Sequence, residues 1–194
     1  EYDLILAIKK IISKSLPKLA ILTNDKSIFS DKSSKVVESL EKQYALDILN
    51  YDAISNLPDL NTYQSLLVHQ PRNVEESSTL KIDQFIMNGG KTLFLVDQQS
   101  IEGLKTTKID TGLTSLLTHY GITIEPKFIL DNSYSYASFS SGYMSFTLPY
   151  PFWPKLTKDN FLENHPILKN VESFVLPWSS PIQLTTTSTD KTTY

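Results

Sequence analysis

The sequence predicts an α/β domain in which a mainly parallel sheet is covered on both faces, a three-layer sandwich. Short, nearly all-apolar runs recur along the chain: KLAILT (18–23), SLLVHQ (65–70) and TLFLVD (92–97). Strands buried on both faces read this way. Segments with apolar residues at helical spacing lie between them. Strands and helices alternate, which is the order of βα units rather than of an antiparallel meander. The kind of fold expected is flavodoxin-like or class I amidotransferase-like.

Each element has its own reason. Leu4, Ile8 and Ile11, with Ile5 and Ile12 beside them, make 3–15 an amphipathic helix whose lysines fall largely on the other side. Pro17 ends that pattern, and 18–23 follows as the first strand. Val36, Val37, Leu40 and Tyr44 define a helix face, and ALDILNYD (45–52) is the second strand. SLLVHQ is the third. Asn73-x-x-Glu76 has the form of a capping box, opening a helix with Ile82, Phe85 and Ile86 on one face. Gly89 and Gly90 stop it, and 92–97 is a central strand, apolar on both faces until Asp97. A helix over 111–120 carries Leu113, Leu116, Leu117 and Tyr120, with Gly121 where a helix-ending glycine belongs. ITIEPKFILD then supplies one or two short strands ending at Asp131. Beyond it the chain is rich in serine, aromatics and proline. SGYMSFTL reads as an edge strand, HPILKN as a turn, SFVLPW as a last strand, and TTTSTDKTTY as a polar end. The expected organisation is one α/β domain over 1–194, with a core at 1–131 and an aromatic, proline-rich extension at 132–194 packed on it.

Composition narrows the function. The chain has 194 residues and net charge -3, with no basic stripe, so nucleic-acid binding lacks an electrostatic footprint. There is no cysteine, which removes disulfides, zinc-thiolate sites and a cysteine nucleophile. No apolar run reaches the ~18 residues that a membrane span needs. The chain begins at Glu1 rather than Met, and it is expected to be a fragment of a longer protein.

Gly90-Lys91-Thr92 matches the tail of a phosphate-binding loop, but in the wrong direction. That loop needs a strand, then glycines, then a helix whose N-terminal N–H groups face phosphate. Here a helix ends and a strand begins, and helix ends present carbonyls and negative charge. Asp25, Asp52, Asp97 and Asp131 recur near strand ends, where α/β sheets hold ligands. They form no DxD spacing, and aspartate also caps helices and fills loops. His69, His119 and His165 show no paired metal spacing, and no G-x-S-x-G elbow is present. LPYPFWPKL sets Tyr150, Phe152 and Trp153 among prolines, either as an aromatic platform for a peptide or sugar or as a cover for the sheet's open edge. The candidate ligand or partner contacts are Asp97, Tyr150, Phe152, Trp153 and His165. No catalytic, cofactor or metal residue is assigned.

The order of segments resembles a known family. EYDLILAIKKIISKSLPKLAILT, YQSLLVHQPRNVEESSTLKIDQFIMNGGKTLFLVD, LTSLLTHYGITIEPKFILD, PYPFWPKL and HPILKNVESFVLPWSSPIQL follow one another as in the ABC-transporter auxiliary component family. Within it the gliding-motility (GldG-like) branch is most similar, and the GIFT domain of intraflagellar transport shares the general fold. The wider family often places a GHGE-like loop after the first strand, where this chain has LTNDKSIF. The resemblance implies a non-enzymatic domain outside the cytoplasm, periplasmic, in a protein anchored to the inner membrane. It further implies ABC permease and ATPase subunits as partners; with the residue-level reading, a protein or glycan ligand, no nucleic acid and no cofactor are expected. The competing expectation is a hydrolase using strand-end carboxylates, with or without a metal.

Overall fold

The computed structural model describes residues 4, 15–24, 29, 35–51, 59–102, 105–141, 143–162, 165 and 167–185. Apart from Leu4 and Ser15, the amphipathic stretch 3–15 lies outside the described residues, as do Asp25, Asp52 and the tail beyond Thr185. The chain divides into two compact units, Glu1–Asp97 with Ile109–Gly121 and Gln98–Lys108 with Ile122–Tyr194.

The first unit is the α/β part. Its described elements are β1 (Lys18–Thr23), α1 (Lys35–Glu41), β2 (Ala45–Leu49), β3 (Ser65–His69), α2 (Glu76–Met87), β4 (Lys91–Leu95) and α3 (Thr114–His119). The four strands form one sheet in the order β2-β1-β3-β4, and every pairing is parallel. The order reverses between β1 and β3, as in doubly wound sheets. The fold is thus α/β around a parallel sheet. Three short described helices do not by themselves establish the flavodoxin-like three-layer sandwich.

The two inner strands are apolar on both faces and buried on both. Ala20, Ile21, Leu22 and Val68 are fully inaccessible, and Leu66 nearly so. Each large aliphatic side chain so placed contributes about 1.5–3 kcal/mol. On one face Leu19, Ile21, Phe29, Val37 and Leu67 form a cluster, with Leu40, Tyr44, Leu46 and Ile48 packed against it. The register puts Leu93 and Leu95 on the same face as Leu67, yet they are 59% and 46% exposed. So β4 is an edge strand with one bare face, not the central strand its composition suggested. A short apolar run reads alike in both settings.

The helix boundaries follow local hydrogen bonds. At the end of α2, Gly89 sits at φ 84°. Gly90 N–H donates to Phe85 O and Gly89 N–H to Ile86 O, both at 2.9 Å. This paired closure needs the left-handed residue that glycine supplies. The start of α2 differs from expectation. Asn73 lies at φ 48° and its N–H donates to Asp110 O. The N-cap residue is Glu75, with no side-chain cap bond, so the capping box does not form. Likewise Thr111 Oγ1 accepts from Leu113 N–H, which makes 111–113 a turn and starts α3 at Thr114. Gly121 follows α3 at φ 75°.

In the second unit every strand pairing is antiparallel. β5 (Gln99–Glu102) pairs with β6 (Lys105–Lys108), and β7 (Ile122–Ile124) with β11 (Ile182–Leu184). β8 (Tyr134–Ser141), β9 (Met144–Thr157) and β10 (Ser173–Val175) make a sheet in the order β10-β9-β8. The edge strand expected at SGYMSFTL is the first half of β9. The turn expected at HPILKN is present over 167–170. Among the described residues of this unit, only Ala137 and Pro154 are buried apolar ones.

Candidate functional site

What this unit has instead of a deep core is a cluster of half-buried rings, built by an irregularity in β9. Tyr134 stands opposite Pro154, but the next residue, Ser135, stands opposite Tyr150. Pro151, Phe152 and Trp153 are therefore extra residues that bulge from the ladder. Bulges bend a strand and re-aim its side chains. Three carbonyls of this stretch accept main-chain hydrogen bonds: Pro151 O from Asp131, Phe152 O from Trp178 and Pro154 O from Leu176, at 3.0–3.2 Å.

The bulge brings Tyr150, Phe152 and Trp153 together, as their sequence neighbourhood suggested, and Tyr150 is the hub. Its ring centroid lies 5.6 Å from both Phe139 and Phe152, 5.8 Å from Trp153 and 6.3 Å from Trp178. Trp153 meets Trp178 edge-on at 5.4 Å, and Phe128 meets Phe152 at 6.2 Å. Such spacings and tilts suit the ring quadrupoles. Trp178 Nε1 donates to Tyr150 Oη at 3.4 Å. Trp178 is held at φ 49°, an uncommon conformation for a bulky residue, and is 37% exposed. Trp153 Nε1 is buried without a hydrogen-bond partner. A buried donor left unmet costs about 1–3 kcal/mol.

The other two candidate contacts are not among the rings of this cluster. Asp97 is exposed, two residues past the end of β4, in the first unit. His165 is half-buried, with its Nδ1 buried and unpartnered. Its main chain closes turns with Leu162 and Leu168, and no described ring contact joins it to the Tyr150 cluster. Asp131 Oδ1 accepts from Ser133 N–H at 2.8 Å, so this carboxylate closes a turn. Among the described residues no three His, Asp or Glu side chains gather closely enough to hold a metal ion.

Trp178, Phe128 and Phe139 were not foreseen as members of the cluster. Pro177 before Trp178 was the one local sign of an unusual turn there. A second arrangement also escaped notice, at the carboxyl ends of β1 and β3 where the strand order reverses. Thr23 Oγ1 and His69 Nδ1 are 3.2 Å apart and buried. Phe29 meets the His69 ring edge-on at 4.9 Å, and Gln70 beside it lies at φ 42°.

At the opposite ends of these strands lies an open cleft of about 500 Å³, with Tyr44, Asn61, Gln64, Asn88 and Lys91 in its wall. Three of its polar side chains are engaged in hydrogen bonds. Asn88 Nδ2 donates to Asn61 Oδ1 at 2.9 Å, and Gln64 Oε1 accepts from Lys18 N–H at 2.6 Å. Lys91 follows the carbonyl end of α2, so Gly-Lys-Thr is a helix stop and strand entrance, as its direction indicated.

Residues 16–194 match the protein family described as "ABC-type uncharacterized transport system". The chain belongs to this ABC transport auxiliary family. A curated relative from Borreliella burgdorferi strain B31, bearing the name "Uncharacterized protein", is 26% identical over 190 residues. That comparison takes in 95% of this chain and 37% of the relative, so the chain spans little more than a third of that protein's length. No solved structure matches. Among the described residues of this ABC transport auxiliary chain, no helix is long and apolar enough to cross a membrane.

Proposed function

We propose that the chain is a non-enzymatic, extracytoplasmic binding or assembly domain of an ABC-type transport system, linked to gliding motility or surface export. Its parent protein is anchored in the inner membrane and works beside a separate permease and ATPase. The contact with a partner protein of that system runs through the Tyr150 cluster. What supports this reading is family membership together with one observation. A β9 bulge holds Tyr150, Phe152, Trp153 and Trp178 half-exposed around a buried, unmet indole N–H. Rigid aromatic rings that combine an apolar body with a polar tip are the residues that dominate protein contacts.

The test is capture of the detergent-solubilised permease and ATPase by the purified chain, with a panel of neutral glycans as a second arm. Phe152→Ala with Trp153→Ala weakens capture by roughly tenfold or more. Because these rings also fill the unit's shallow interior, Trp153→Phe is the companion variant. It keeps an aromatic ring in the same slot but lacks the unmet donor, so far-ultraviolet circular dichroism and the thermal melt stay close to native while capture weakens. Unchanged capture by both variants sinks the reading, and binding confined to the glycan arm replaces the protein partner.

A further inference from the structure

The chain carries no charged residue from Asn132 to Pro154, the stretch that builds the β8–β9 hairpin. Opposed residues in an antiparallel pair share a face. Ala137 and Leu148, then Phe139 and Phe146, are such pairs, and so are Ser138 and Thr147. One face of the arm is therefore apolar, with Phe139, Phe146 and Leu148 38%, 46% and 48% exposed. The other is hydroxylic, and Ser138 and Thr147 share a 2.9 Å hydrogen bond on it.

The two outer edges of the arm differ. From Pro149 onward β9 carries Pro149, Pro151 and Pro154 and is paired by β10 at Lys155–Thr157, whereas its first half, Met144–Leu148, is uncharged and proline-free like β8. Prolines remove the N–H donors that an added strand requires. β8 reads YSYASFSS, with no proline, no lysine and no other charge. Among the described residues β9 is its only strand neighbour. Natural edge strands are guarded by charge, proline or cover, and β8 has no charge, no proline and, among the described residues, no strand on its outer side.

We propose that the outer edge of β8 pairs antiparallel with β8 of a second copy of this chain, forming a two-fold dimer. An uncharged strand meets its own copy without repulsion. The run Tyr136–Ser140, exposed except at Ala137, is centred on Ser138, and that register is self-complementary. Phe139 stands opposite Ala137 of the other copy on the apolar face, and Tyr136 opposite Ser140 on the hydroxylic face, large against small each time. Pairing β8 with itself buries the same edge of both copies, an isologous contact that closes at two copies. Lipid is the poorer occupant, because an inserted arm leaves the main-chain groups of β8 unpaired in hydrocarbon.

Sedimentation velocity of the 194-residue chain over a roughly hundredfold concentration range tests this. A monomer–dimer equilibrium is expected. Ser138→Lys and Ser138→Glu each set like charges face to face and weaken the dimer roughly fivefold or more. An equal mixture of the two restores it. Both substitutions lie on the exposed hydroxylic face, and thermal melts confirm that each variant folds. A wild-type chain that stays monomeric throughout, or a dimer that both charges leave unchanged, overturns the proposal. So does a monomer that floats with neutral phosphatidylcholine vesicles, which assigns the apolar face to lipid.

Discussion

Two glycines separate what a sequence shows locally from what it hides. Gly89 has a positive φ and nothing within 4 Å of where a Cβ would sit. Gly112 also has a positive φ, but its Cβ would fall 2.2 Å from Val74 O. Gly89→Ala therefore meets only the backbone preference and costs about 1 kcal/mol. Gly112→Ala adds a collision with main chain and costs at least about 2–3 kcal/mol. Urea titration of both variants checks the order, and equal midpoints contradict it. The role of Gly89 was legible because a helix and its stop are neighbours in sequence. That of Gly112 was not, because the residue it must avoid lies on a distant turn. The same contrast explains Asn73. Its spacing to Glu76 promised a cap, but its hydrogen bond to Asp110 O puts it in a left-handed turn instead.

At the scale of elements, strands that look alike in composition have different neighbours. Leu67 and Leu93 are paired in register, but Leu67 is 8% exposed and Leu93 59%. Leu67→Ala is expected to cost about 2–5 kcal/mol, and Leu93→Ala within about 0.5–1 kcal/mol. Chemical denaturation of the two variants measures this directly. Comparable losses mean that the bare face of β4 is covered in solution. The strands β1, β2 and β3, the three described helices and the glycine stops were all legible from periodicity and punctuation. The hairpin β8–β9 was legible only in part. Prolines at 149, 151 and 154 argue against a strand, and they occur in β9 because strands tolerate proline at edges and bulges. Which strand lies at an edge is set by pairing partners remote in sequence, and so is the bulge that assembles the aromatic cluster.

Across the whole molecule, two tyrosines tie elements of the first unit together. Tyr63 Oη donates to Asp47 and Tyr120 Oη to Asp83, at 3.0 and 2.7 Å. Burial first, and then the neighbouring carboxylate, pushes each phenol from 10.0 up to about 12. The folded chain thus holds these protons more tightly than the unfolded one. Their contribution is fully present below pH 10.0 and is lost as pH rises through about 12. The melting temperature is expected to fall in that window, and less steeply in a variant carrying Tyr63→Phe and Tyr120→Phe. An identical slope in the variant refutes the assignment. Much of the α/β unit and the family were readable from the order of short motifs, because apolar periodicity, helix stops and strand length are properties of neighbouring residues. Only the tertiary structure showed that β4 is an edge among the described strands, that a bulge gathers Tyr150, Phe152 and Trp153 with Trp178, and that His165 makes no described ring contact with them. Those features depend on which distant segments pair. Pairing is settled by burial and hydrogen bonding summed over the whole chain, not by any one stretch of it.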